Sequence, residues 1–180
     1  MVTINTITKA TENFSAGNRN NIVLIGMPGA GKSTVGTHLA KALKMDFTDT
    51  DLIIRQAENK ELRDIVNEIG LIGFLRIQEE HILKLHVSNC IIATGGSVVY
   101  SPNVMAHLKE AGRVVYLKLG IDELLERIGP DRRLARDSGK SFYDLYNERV
   151  PLYERYADII IDCSNKSVEE VTREIIRSLS

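Results

Sequence analysis

From residue 21 to the C-terminus, short apolar runs alternate with stretches in which apolar residues recur every three or four positions. The runs are read as strands at 22–26, 46–48, 90–94, 113–118 and 158–162. The periodic stretches predict helices at 32–44, within 51–87, and at 103–111, 121–128, 141–156 and 167–179. Such alternation predicts an α/β chain with a parallel sheet of about five strands, covered by helices on both faces. In these sheets, ligands sit beyond the carboxyl ends of the strands. Residues 1–20 are polar without an apolar period and read as a flexible leader, leaving residues 21–180 as one domain.

Composition narrows the partners. The chain has 180 residues, 43% of them apolar and 26% charged, which suits one globular domain with a sizeable core. With 23 basic against 24 acidic residues and no basic block interleaved with aromatics, nucleic acid is not an expected partner. No apolar stretch approaches the roughly 20 residues that span a bilayer. The N-terminus also lacks the apolar core of a signal peptide, so a cytoplasmic protein with no membrane partner is expected. Cys90 and Cys163 sit at the edges of apparent strands as small hydrophobes. His38, His81, His86 and His107 show no metal-ligand spacing.

One segment carries explicit chemistry. Residues 26–33 read Gly-Met-Pro-Gly-Ala-Gly-Lys-Ser, between the first strand and the first helix, which is a phosphate-binding loop in its strand–loop–helix setting. Glycines allow the backbone N–H groups to curl around phosphate oxygens at a helix N-terminus. Lys32 would reach the β- and γ-phosphates, and Ser33 would offer its hydroxyl to a magnesium ion bridging them. Gly29, Ala30, Gly31, Lys32, Ser33 and Thr34 are therefore the nucleotide-binding candidates, for ATP or GTP with Mg2+. The second strand ends in Phe47-Thr48-Asp49-Thr50-Asp51, whose carboxylates would share one side of an extended chain. Asp49 is the candidate for the metal and Asp51 for the catalytic base; the competing reading makes Asp51 the N-cap of a helix starting near Leu52.

These residues together resemble the shikimate kinases, small P-loop kinases, over the span from about Asn21 to the C-terminus. The resemblance implies a three-layer P-loop NTPase fold: a five-stranded parallel sheet flanked by helices, with substrate-binding helices at about 51–87 and a mobile lid at about 129–140. Leu75-Arg76-Ile77-Gln78-Glu79 is similar to the family's Phe-Arg-x-x-Glu helix, which would make Arg76 a clamp for the substrate carboxylate; a surface ion pair with Glu79 is the alternative. Ala93-Thr94-Gly95-Gly96 lies where the family has a glycine triplet facing the substrate, with Ser97 in the third place; a plain turn is the alternative. Asn147-Glu148-Arg149-Val150-Pro151-Leu152-Tyr153 looks like the family's Arg-x-Pro-Leu-Tyr segment, making Arg149 a second carboxylate-binding arginine, against a salt bridge to neighbouring acids.

In the lid, Arg132 resembles the family arginine that closes on phosphate, with Arg133 and Arg136 as neighbours able to take that place. Arg127 resembles the arginine lying over adenine, with a helix-surface arginine as the alternative, and Ile161-Asp162-Cys163-Ser164-Asn165 lies where the family has its adenine loop, with a plain polar turn as the alternative. The resemblance thus implies transfer of the ATP γ-phosphoryl group to the 3-hydroxyl of shikimate; a monomer is expected. Lys32, Asp51 and Arg132 would act in catalysis, Ser33 and Asp49 toward Mg2+, and Asp51, Arg76, Gly95, Gly96 and Arg149 on the anionic substrate. The alternatives are a kinase for another hydroxylated small acid or polyol, such as gluconate or homoserine, and a nucleotide-binding module without catalysis.

Overall fold

The computed structural model describes residues 19–128 and 139–179. Five strands form one parallel sheet: β1 (Asn21–Ile25), β2 (Asp46–Asp49), β3 (Cys90–Ala93), β4 (Gly112–Lys118) and β5 (Ile159–Asp162), in the order β2-β3-β1-β4-β5. Ile22, Val23, Leu24 and Ile25 of β1 and Val114 to Leu117 of β4 are fully buried, the continuous apolar pattern expected of strands covered on both faces. The helices are α1 (Lys32–Leu43), α2 (Thr50–Glu58), α3 (Leu62–Leu83), α4 (Pro102–Ala111), α5 (Ile121–Ile128), α6 (Phe142–Tyr156) and α7 (Val168–Leu179).

β1 lies between β3 and β4, with Leu24 in register with Ala93 on one side and Val115 on the other. The connection from β1 runs to β2 on one side and that from its neighbour β3 runs to β4 on the other, so a crevice opens at the carboxyl ends of these two strands. Asn21, 1% exposed, ties the opposite end together: its amide donates to the carbonyls of Val87 and Ala111 and accepts from the Cys90 N–H.

Two apolar cores support the crevice. The larger one packs the sheet against α1, α4, α6 and α7 and includes Leu39, Met105, Tyr153 and Ile175. A second, small core of Ile54, Ile65 and Phe74 joins α2 to α3. α3 is broken at Gly70, whose φ of 74° and ψ of 172° are not helical.

The structure moves several expected boundaries. α2 begins at Thr50, and its N-cap is Asp49, which accepts from the N–H groups of Asp51 and Leu52. Asp51 is therefore neither on an extended strand nor the cap: it stands in the first helical turn. A turn of 3-10 helix over Val98–Tyr100, not expected from the sequence, follows the Gly95–Gly96 turn. Most of the leader expected at 1–20, residues 1–18, and most of the lid, 129–138, with Arg132, Arg133 and Arg136, lie outside the described residues. Arg19 is described, and its guanidinium donates to the Gly112 carbonyl and pairs with Asp158 at 2.8 Å.

Candidate active site

A cavity of about 650 Å3 opens at the carboxyl end of the sheet, lined by residues of the P-loop, α2, α3, the turn after β3, Arg127 and Arg149. The P-loop shapes one side. Gly29 and Gly31 both take φ of 87°, a left-handed conformation that a side chain resists, and Gly31 caps α1 with its backbone N–H groups directed out of the helix. Lys32, 9% exposed, donates from Nζ to the carbonyls of Gly26 and Met27 at 2.8 and 2.9 Å, which holds its charge across the loop. A helix N-terminus, a curl of N–H groups and an ammonium together suit an anion with several oxygens, such as a polyphosphate.

Beside this cradle, Ser33 Oγ donates to Asp49 Oδ2 at 2.6 Å, while Asp49 Oδ1 caps α2. One carboxylate thus anchors the acceptor-side helix and faces the P-loop hydroxyl. A hydroxyl and a carboxylate are hard oxygen donors of the kind that Mg2+ takes when phosphates and water supply its remaining ligands. Among the described residues no group of three or more His, Cys, Asp or Glu stands together as a cage of its own.

The floor is the Gly95–Gly96 turn. A Cβ on Gly95 would run into the Asp51 carboxylate, with Gln78 Nε2 at 3.1 Å; a Cβ on Gly96 would meet Pro28 of the P-loop at 2.8 Å and Arg149 Nη1 at 3.2 Å. Neither position has room for a side chain, and the turn carries a carboxylate beside one glycine and a guanidinium beside the next. Arg149 is 1% exposed, donates from Nε to the Tyr100 hydroxyl at 3.0 Å and lies 5.0 Å over that ring. Burial raises the Tyr100 phenol above its ordinary pKa while Arg149 opposes the shift. The neighbouring acid Glu148 pairs with Lys140. Four residues on, Tyr153 donates to the Gly96 carbonyl and stacks on Tyr116 at 5.1 Å, so one face of α6 clamps the floor from below.

The structure therefore brings together Gly29, Gly31, Lys32, Ser33, Thr34, Asp49, Asp51, Gly95, Gly96, Arg127 and Arg149 around one cavity. Ala30 is buried beneath the loop, 2% exposed. Arg127 is 42% exposed and pairs loosely with Glu123 at 3.8 Å. Asp162 and Asn165 do not line the cavity; Asp162 accepts from the Ser164 N–H, and the Asn165 N–H points to Glu123. Arg76 is not brought to it either. It is exposed, because the buried residues Phe74, Gln78 and Ile82 recur every four positions along α3, and Arg76 stands two from each of the first two, about 200° round the helix. Glu79, the ion-pair alternative, binds Ser101 and Asn103.

Arg55, Glu61, Arg63 and Phe74 also line the cavity and fall in no motif read from the sequence. The four-residue stripe could have found Phe74. Read one position earlier, the Phe-Arg-x-x-Glu pattern falls on Phe74-Leu75-Arg76-Ile77-Gln78, with leucine in the arginine's place and glutamine in the glutamate's.

Comparison with known proteins agrees with this geometry. The family profile described as shikimate kinase matches residues 28–180. The chain belongs to the shikimate kinase family. A shikimate kinase from Caldanaerobacter subterraneus subsp. tengcongensis is 36% identical over 163 residues, 88% of this chain and 95% of that protein. The solved shikimate kinase from Acinetobacter baumannii in complex with shikimate superposes with a TM-score of 0.84 at 29% identity, over 94% of this chain and 96% of that one. The shikimate kinase from Aquifex aeolicus gives 0.76 at 29% identity, over 88% and 95%. As a member of this family the protein is a P-loop phosphotransferase that uses ATP and acts on a hydroxyl group. Among the described residues no helix is long and apolar enough to cross a membrane.

Proposed function

We propose that this chain transfers the γ-phosphoryl group of ATP to the 3-hydroxyl of shikimate. The observation that carries the proposal is the floor of the cavity, where the Asp51 carboxylate and the Arg149 guanidinium flank adjacent glycines within reach of the P-loop. A small hydroxy acid lying on that floor has a base for its alcohol, a cation for its carboxylate and the nucleotide's terminal phosphate ahead of it.

Asp51 orients the acceptor hydroxyl and takes its proton as the bond to phosphorus forms. Lys32 holds the β- and γ-phosphate oxygens and offsets the charge gathering on them. Ser33 and Asp49 would hold Mg2+, which neutralises phosphate charge when bound. Arg149, stacked on Tyr100, grips the carboxylate in one orientation, and its burial leaves the guanidinium few other places to point. Arg55 and Arg63, rather than Arg76, line the cavity, Arg55 paired with Glu61 at 2.7 Å. Arg132, as the lid arginine closing on the phosphates, and a monomeric state complete the reading.

A second reading has its own observation. With Leu75 and Gln78 in the places of an arginine and a glutamate, and Ser97 lining the cavity where the family has glycine, the acceptor pocket departs from the family pattern while the nucleotide cradle keeps it. That favours a kinase of the same mechanism acting on another hydroxylated small acid. Steady-state kcat/KM for shikimate, gluconate and homoserine with Mg-ATP separates the two: a preference of at least about tenfold for shikimate is expected, and a larger value for another acid replaces shikimate by that acid.

A further inference from the structure

The arginine on the cavity floor is held from behind by a residue that does not itself line the cavity. Tyr100, half-buried at the end of the 3-10 turn, meets Arg149 in two ways. The guanidinium lies over its ring at 5.0 Å, and Nε donates to its hydroxyl at 3.0 Å. A guanidinium is planar, so a bond at Nε and a ring beneath it decide together where the terminal nitrogens go. Nη1 stands at the floor, 3.2 Å from where a Cβ on Gly96 would sit, and Arg149 lines the cavity. The same hydroxyl faces Glu148, next to Arg149 on α6, whose carboxylate pairs with Lys140. An arginine has only donors, so the phenol oxygen accepts from Nε and keeps its own proton for that carboxylate. A buried N–H is rarely left without an acceptor. Without the phenol oxygen, Nε would have the adjacent acid to turn to.

We infer that Tyr100 is a positioning residue for the acceptor: its hydroxyl holds Arg149 by Nε, so that the terminal nitrogens of the guanidinium meet the acceptor's carboxylate as a fork. Tyr100 acts only through Arg149, since it is not among the residues lining the cavity. Its place in the 3-10 turn ties this hold to the floor, because the turn follows directly on Gly95–Gly96. The inference rests on the proposed reading in one respect, that Arg149 takes a carboxylate, and not on that acid being shikimate.

The test compares wild type with Tyr100→Phe, which keeps the ring, and Tyr100→Leu, which loses ring and hydroxyl. Both are measured on shikimate and on its methyl ester, read as acceptor or as competitor, with thermal melting as the check on folding. Tyr100→Phe is expected to raise KM for shikimate roughly 3- to 10-fold, the size of one net hydrogen bond, with kcat and KM for ATP within about twofold. Tyr100→Leu goes further the same way, because the cation–π contact is lost too. The ester offers a fork no carboxylate, so the wild type should bind it more weakly and Tyr100→Phe should change that by less than about twofold. An unchanged KM for shikimate in Tyr100→Phe, or an equal rise on acid and ester, overturns the inference. So does a rise on acid, ester and ATP together with a fall in melting temperature, which marks a merely structural residue. A wild type that binds acid and ester alike is a separate result: it removes the carboxylate grip of Arg149, and this inference with it. Failure of the wild type to phosphorylate shikimate removes only the proposed acceptor, and the same variants are then read on gluconate against gluconamide. Absence of turnover on all of these would remove both.

Discussion

The two halves of the cavity are built differently. The nucleotide side is a continuous stretch, Gly26 to Ser33, mounted between a fully buried central strand and a helix packed into the large core. Its ligand-facing groups are mostly backbone N–H groups, so glycine positions and one lysine define it. The acceptor side is assembled from α2, α3, the turn after β3 and α6. Among the described residues its separate core has three buried residues, and its long helix is interrupted at Gly70. Backbone recognition on a rigid mount leaves little to vary, whereas side-chain recognition on a small core can change one residue at a time. The chain follows this division: the P-loop matches the family motif, and Leu75, Gln78 and Ser97 do not.

Four substitutions break or sharpen the contrast. Asp51→Asn should leave ATP binding near wild type while lowering kcat by ~10²–10⁴-fold, the usual loss for a general base; nucleotide titration alongside the rate measurement checks both, and unchanged turnover removes Asp51 from the mechanism. Lys32→Met acts from the other half and should lower kcat by ~10²–10³-fold whatever the acceptor, as expected for a lost donor to developing charge. A loss confined to one acceptor would contradict the division. Arg149→Lys keeps the charge but loses the planar fork, and should raise the acceptor KM by ~10–10²-fold with KM for ATP little changed. Arg76→Ala should move neither KM beyond about twofold, because the side chain is exposed and off the cavity. A large rise in acceptor KM there would restore it as a clamp.

The same division explains what could be read from the sequence. Strand runs, the sheet and the P-loop are legible because each is set within a few consecutive residues, as with Ile22 to Ile25 leading into Gly26. Asp49 and Asp51 could be placed near the site, but not in their roles relative to α2, since both are acceptable caps and only the start at Thr50 decides that Asp49 does the capping. A motif match on the arginine points Arg76 at the substrate, whereas the apolar stripe puts Phe74 and Gln78 inward and Arg76 out. The inclusion of Arg55 and Arg63, and the meeting of Gln78 with Ser97, depend on how α2 and α3 pack against the turn after β3, and no local pattern encodes that.

Phosphorus NMR of the wild-type protein with Mg-ATP and shikimate is the most direct measurement of the central claim. A new phosphate monoester signal coupled to the shikimate C3 proton, growing as ATP is converted to ADP, is the predicted result. ATP consumed only to inorganic phosphate, with shikimate unchanged, would contradict it.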